Sequence, residues 1–110
     1  MVKAEELARV FKVLSVESRV RIVQLLKSRA LCVNALANLL EISPAAVSQH
    51  LRILRDAGIV RPEKRGYYVH YRLEEETLEG WRVLADRFLT EDDSFGPFLE
   101  IKTMKEECHE

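Results

Sequence analysis

Apolar positions recur at helical spacing over most of the chain and switch to strict alternation once, late in the sequence. Leu7, Val10, Phe11 and Leu14 stand at i, i+3, i+4 and i+7, which predicts an amphipathic helix over Lys3 to Leu14. Ser15 offers an N-cap for a second helix, Val16 to Ser28. Its Val20, Ile22, Val23, Leu25 and Leu26 are too many for one narrow stripe, so it is expected to be buried on more than one side. A short third helix, Val33 to Leu40, carries Leu36, Leu39 and Leu40, and Glu41 and Ile42 separate it from the next.

The fourth helix is written at both ends. Ser43 is a good N-cap, Pro44 suits the first helical position where its missing N–H is no loss, and Gly58 can take the left-handed C-terminal cap. Val47, Leu51 and Leu54 form a narrow inward stripe, while Ser48, Gln49, Arg52 and Arg55 point away from it. Two helices joined by a few residues, the second polar on its outer face, make a helix-turn-helix pattern. A capped helix with Ser, Gln and Arg around small residues suits the DNA major groove, where Gln and Arg can bond base edges through two atoms. The plain alternative is a capped surface helix.

After Gly58 the period becomes two. Val69, Tyr71 and Leu73 fall on one side and Tyr68, His70 and Arg72 on the other, which predicts a two-stranded hairpin with Lys64, Arg65 and Gly66 at its tip. Pro62 is tolerable near the start of its first strand if that strand is an edge. Basic residues at such a tip can reach phosphate or the minor groove; alone, Lys64 and Arg65 would be a solvated turn. Glu74 to Leu89 returns to helical spacing, with Leu78, Trp81, Leu84, Ala85 and Phe88 on one face and three glutamates favouring its N-terminus. The folded body thus begins and ends in strongly apolar helices that a small domain cannot cover, and a symmetric homodimer would cover them.

The expected fold class is mainly α with a small β-hairpin wing: a winged helix-turn-helix of five principal helices, dimerised through the first and last. Residues 1–89 form the DNA-binding and dimerisation domain, and residues 90–110 an acidic tail with a possible short helix after Pro97. With 110 residues, one domain is expected. Hydrophobic residues at 47% and charged residues at 32% fit a soluble globular chain, and no apolar run approaches the roughly 18 residues of a membrane span. The N-terminal residues carry no signal-peptide core, so a cytoplasmic location is expected.

The net charge of −1 conceals an asymmetry. Residues 1–49 carry 7 basic against 4 acidic side chains, residues 50–73 carry 6 against 2, and residues 74–110 carry 4 against 12. Phosphate contact is therefore expected at one face only.

LCVNALANLL, SPAAVSQHLRILRDAGIV and KRGYYVHYRL together resemble the ArsR/SmtB-type transcriptional repressors, over Leu7 to Phe88. The resemblance implies a homodimer, joined through its first and last helices, that binds a double-stranded inverted-repeat operator and leaves it when an inducer binds. It implies groove-facing positions at Ser43, Ala45, Ser48, Gln49 and Arg52. His50 either contacts DNA or closes the helix against its neighbour. Lys64 and Arg65 would contact phosphate, and the dimer residues would be Leu7, Val10, Phe11, Leu78, Trp81, Ala85 and Phe88.

Arsenic-sensing relatives often carry Cys-Val-Cys at the start of the third helix, where this chain has Cys32-Val33-Asn34. The last helix lacks the histidine ligands that zinc-sensing relatives place there. What remains for As(III) or Zn(II) as inducer is Cys32 with Cys108 and His109 from the tail, set against a small buried Cys32 and an unused Cys108. The alternative functions are a winged-helix module that binds protein and a regulator with no metal response. Catalysis is not expected: there is no phosphate-binding glycine loop, paired metal motif or nucleophile elbow, and Cys108 beside His109 lacks an orienting third group.

Overall fold

A computed structural model describes residues 3–90 of the chain. The elements run α1 (Ala4–Val13), α2 (Glu17–Leu26), β1 (Leu31–Cys32), α3 (Val33–Leu40), α4 (Pro44–Asp56), β2 (Val60–Arg65), β3 (Tyr68–Leu73) and α5 (Glu75–Thr90). This is the expected winged helix-turn-helix order, with one strand more than the periodicity disclosed. β1 pairs antiparallel with β3, setting Leu31 opposite Tyr71 and Cys32 opposite His70, so the sheet has three strands in the order β1-β3-β2. Pro62 lies on the edge strand β2, where a missing donor leaves no central ladder broken.

α3 and α4 form the helix-turn-helix through the inner stripes of their sequences. Leu36, Val47, Leu51 and Leu54 are sealed in the core with Ile22 of α2, and Ile59 and Val60 close it from the wing side. α2 is buried at Ile22, Val23 and Leu26 but leaves Val20 exposed, so its apolar surplus is only partly absorbed. The turn before α4 contains Glu41 in the left-handed region at φ 58°, where Ile42 N–H reaches back to the Ala37 carbonyl. A side chain in that conformation costs about 1 kcal/mol, offset here by satisfying the end of α3 and aiming the chain into α4.

α4 is capped as its sequence predicts. Ser43 Oγ accepts from Ala46 N–H at 3.1 Å, and Pro44 occupies the first turn. Gly58 has φ +80°, its N–H bonds the Arg55 carbonyl at 2.9 Å, and Ile59 N–H bonds the Leu54 carbonyl at 3.0 Å. Those two bonds are a Schellman cap, which needs the positive φ that glycine takes without a Cβ penalty. Ser15 behaves otherwise than expected: its hydroxyl donates backward to the Lys12 carbonyl at 2.8 Å, and α2 starts without a side-chain cap. The local bond to the preceding helix end competes with forward capping and wins.

The turn of the hairpin falls later than its expected tip, because the first strand runs on through Lys64 and Arg65. Lys64 pairs with Val69 and Arg65 with Tyr68, leaving Gly66 and Tyr67 as the turn, with Gly66 at φ +63°. Lys64 and Arg65 therefore occupy the last two rungs, on opposite faces of the wing.

α1 and α5 lie against each other, with Phe11 and Phe88 edge to face at 6.5 Å between centroids. α5 contains no buried residue, although Leu78 and Trp81 pack partly onto the core. Among the expected dimer residues, Leu7 and Val10 are buried within the single chain, whereas Phe11 and Phe88 stay about half exposed at 46% and 47%. Between the two helices runs an apolar groove of about 580 Å³, lined by Val10, Phe11, Leu14, Leu78, Trp81 and Ala85.

Candidate nucleic-acid interface

The outer face of α4 is held still by its core stripe and both caps, and what it presents is polar. Ser43, Ala45, Ser48, Gln49 and Arg52 are all exposed, as is Arg55 one turn further on. Arg52 and Arg55 form no ion pair among the described residues, so their guanidinium donors are free for another partner. Ser48, Gln49, Arg52, Arg55 and Asp56 line a cleft of about 450 Å³ closed on the wing side by Tyr71 of β3. Sequence reasoning did not single out Tyr71 as a site residue; its position opposite Leu31 turns it toward the core side, beside α4.

His50 stands apart from this face. It is half-buried, and its Nδ1 accepts a hydrogen bond from Arg19 Nε of α2 at 3.4 Å. Burial first, and then the neighbouring Arg19 charge, hold its pKa below the ordinary histidine value. Of the two roles open to it in the sequence, this placement favours closing the helix against its neighbour. The contact joins residues 31 positions apart, and no local pattern announces it.

The wing divides its basic residues into two kinds. Lys64 is exposed and carries no ion pair among the described residues. Arg65 is drawn to Glu63 at 3.4 Å, and the same carboxylate takes Arg72 at 2.9 Å. The hydrogen bond from Arg72 is the main reason the Glu63 carboxyl sits below the usual carboxylate range. Arg61 pairs with Glu74 at 2.8 Å at the base of the wing. Glu63 therefore mutes part of the positive charge that the sequence places here.

Of the expected thiol site, only Cys32 lies among the described residues. Cys32 is half-buried at the N-cap position of α3, with Asn34 two residues on and exposed. His70 lies across the sheet from it, and the His70 Nδ1 is buried without a hydrogen-bond partner among the described residues. No group of three or more Cys, His, Asp or Glu side chains among the described residues is placed to hold a metal ion. Cys108 and His109 lie outside the described residues, as does the expected short helix after Pro97. No helix among the described residues is long and apolar enough to cross a membrane.

Residues 17–61, from the start of α2 to the base of the wing, match the bacterial regulatory protein, arsR family. The chain is similar to a cadmium resistance transcriptional regulatory protein CadC homolog of Staphylococcus aureus, at 43% identity over 75 residues, 67% of this chain and 62% of that protein. It is also similar to a transcriptional repressor SmtB homolog of Synechocystis, at 34% identity over 91 residues, 82% of this chain and 69% of the relative. Among solved structures it is similar to the homodimeric winged helix-turn-helix DNA-binding domain of a possible ArsR-family regulator from Mycobacterium bovis, with a TM-score of 0.63 and 28% identity over 77% of this chain and 82% of that one. Several curated relatives are matched over little more than half their length, from 53% to 62%. The capped fourth helix lies within the residues that match the family, and with the SmtB-type relative matched over 69% of its length the chain belongs to the ArsR family of bacterial regulatory proteins.

Proposed function

We propose that this chain is a transcriptional regulator that binds double-stranded operator DNA as a homodimer in the cytoplasm. The observation that carries the reading is the outer face of α4: exposed Ser48, Gln49, Arg52 and Arg55 on a doubly capped helix, with Lys64 exposed on the adjoining wing. Gln49 and Arg52 are side chains that discriminate base edges, each good two-atom contact contributing about 1–3 kcal/mol. Lys64 supplies salt-sensitive phosphate affinity without sequence content. The exposed Phe11, Phe88 and Leu89, together with the absence of any buried residue on α5, support a second copy packed on α1 and α5. The Mycobacterium bovis relative is described as homodimeric, which agrees. Two half-sites facing one side of the duplex then lie about 34–36 Å apart.

With relatives named for cadmium and arsenical resistance, a thiol-binding metal or metalloid is the class of inducer to test. Among the described residues of the single chain no group of three or more such donors forms, so Cys32 with Cys108 and His109 is the set proposed for it, and no step of the DNA-binding reading depends on it.

The test is selection of duplexes from a pool of randomised inverted repeats, at fixed salt under reducing conditions, with and without Zn(II) or As(III). Recovery of a palindromic site supports the regulator, and its release by one ion adds the inducer. Failure to enrich any sequence would sink the regulator reading and favour a protein-binding wing centred on Tyr67 and Tyr68, which are 100% and 65% exposed.

A further inference from the structure

We infer that Arg19 is a positioning residue for DNA readout: it fixes the recognition helix α4, through His50, to the end of α1. The inference rests on the DNA-binding reading above and assigns a role to a residue that faces no DNA in it. Arg19 Nη1 donates to the Val13 carbonyl at 3.0 Å while Nε of the same guanidinium donates to His50 Nδ1 at 3.4 Å. Val13 is the last residue of α1, where carbonyls have no partner within the helix. One planar group therefore serves three helices: its own α2, the C-terminal end of α1, and the middle of α4.

The chemistry is selective. A nitrogen that accepts from arginine carries no proton, so the His50 proton sits on Nε2. Burial and the Arg19 charge both favour that neutral form, which keeps the acceptor available at neutral pH. His50 follows Gln49 directly and precedes Arg52 by two positions, so a rotation of α4 about its axis that moved His50 would turn both away from a base edge. Lysine cannot replace the group, because one ammonium on a flexible stem lacks two fixed donors at that spacing. At its other end the contact reaches α1, which carries Phe11 and packs on α5. A shift of the helix proposed to meet the second subunit would thus be felt in the helix proposed to read DNA.

Asparagine and glutamine separate the possible roles of His50. Asn places its oxygen where Nδ1 is and can still accept from Arg19; Gln places its amide where Nε2 is and cannot. The experiment measures affinity of the full chain for a duplex it has itself selected and for a random duplex, in Arg19→Met, His50→Asn, His50→Gln and Arg19→Met with His50→Gln. Losing one such hydrogen bond corresponds to about a two- to tenfold loss. His50→Asn is expected to stay within about twofold of the parent in its ratio of selected to random affinity, while His50→Gln and Arg19→Met each lose about two- to tenfold. The double variant is expected to lose no more than the worse single one, since both remove the same contact.

Parental discrimination in His50→Gln with loss in His50→Asn would show that His50 acts through Nε2 on the duplex and would overturn the inference. Equal discrimination in both variants would overturn it too, and that comparison does not depend on Arg19→Met folding. A parent that selects no duplex removes the DNA-binding reading itself, and this inference with it.

Discussion

Replacing Glu63 by glutamine should tighten DNA binding. In the wing this carboxylate holds Arg72 at 2.9 Å and Arg65 at 3.4 Å, so two guanidinium groups on one face share a negative charge that would also repel phosphate. Glutamine keeps the shape and an oxygen that can accept from Arg72, so the hairpin should persist while its net charge rises by one. If one arginine is thereby released to one phosphate, the slope of log K against log salt should steepen by about 0.9. Referred to 1 M salt, where that term vanishes, the gain at 0.1 M is about eightfold. Fluorescence anisotropy on selected and random duplexes, from 0.05 to 0.3 M salt, reads both quantities (concentrations about those at which counterion release dominates). Because phosphate contacts carry no sequence information, both duplexes should gain equally. An unchanged slope, or a gain confined to the selected duplex, would refute the reasoning. Mild acid should not mimic the substitution, since the Arg72 hydrogen bond keeps Glu63 ionised below the usual carboxylate range.

Three further outcomes follow from the packing. Phe11→Glu should convert a dimer to a monomer in sedimentation while leaving the helical circular dichroism intact, because Phe11 is 46% exposed in the single chain. Leu51→Ala should destabilise the fold by about 2–5 kcal/mol in denaturant unfolding, since that side chain is 1% exposed in the core. His50 should titrate below its ordinary value in an NMR ring-proton titration, and Arg19→Met should raise its midpoint only part of the way, burial being the larger cause. With the folded value depressed, the stability tied to neutral His50 is present above the unfolded value and lost as pH falls through the folded one.

The features legible in the sequence are those whose cause is local. Ser43, Pro44 and Gly58 announce α4 because capping acts within one turn, and α3 matches its expected span, Val33 to Leu40. β1 was not legible: two residues carry no periodicity, and they form a strand only because β3 lies beside them. The Arg19–His50 contact is hidden for the same reason, being set by how α2 crosses α4. Ser15 misleads because a hydroxyl between two helices can bond either, and the choice falls to geometry. Leu7 and Val10 share a helical face with Phe11, yet the two are buried within the chain and Phe11 is left outside. Spacing marks an apolar face; it does not say how much of that face the chain's own α5 will cover.

In the proposed reading, specificity and affinity reside on separate elements, α4 and the wing. It is tested most directly by measuring Arg52→Ala and Lys64→Ala against a selected and a random duplex over a range of salt. Arg52→Ala should lose about 1–3 kcal/mol of discrimination. Lys64→Ala should weaken both duplexes about equally and flatten the salt slope by about 0.9. The reverse pattern, with Lys64 controlling discrimination and Arg52 only the salt slope, would show that the two roles are not divided between α4 and the wing in this way.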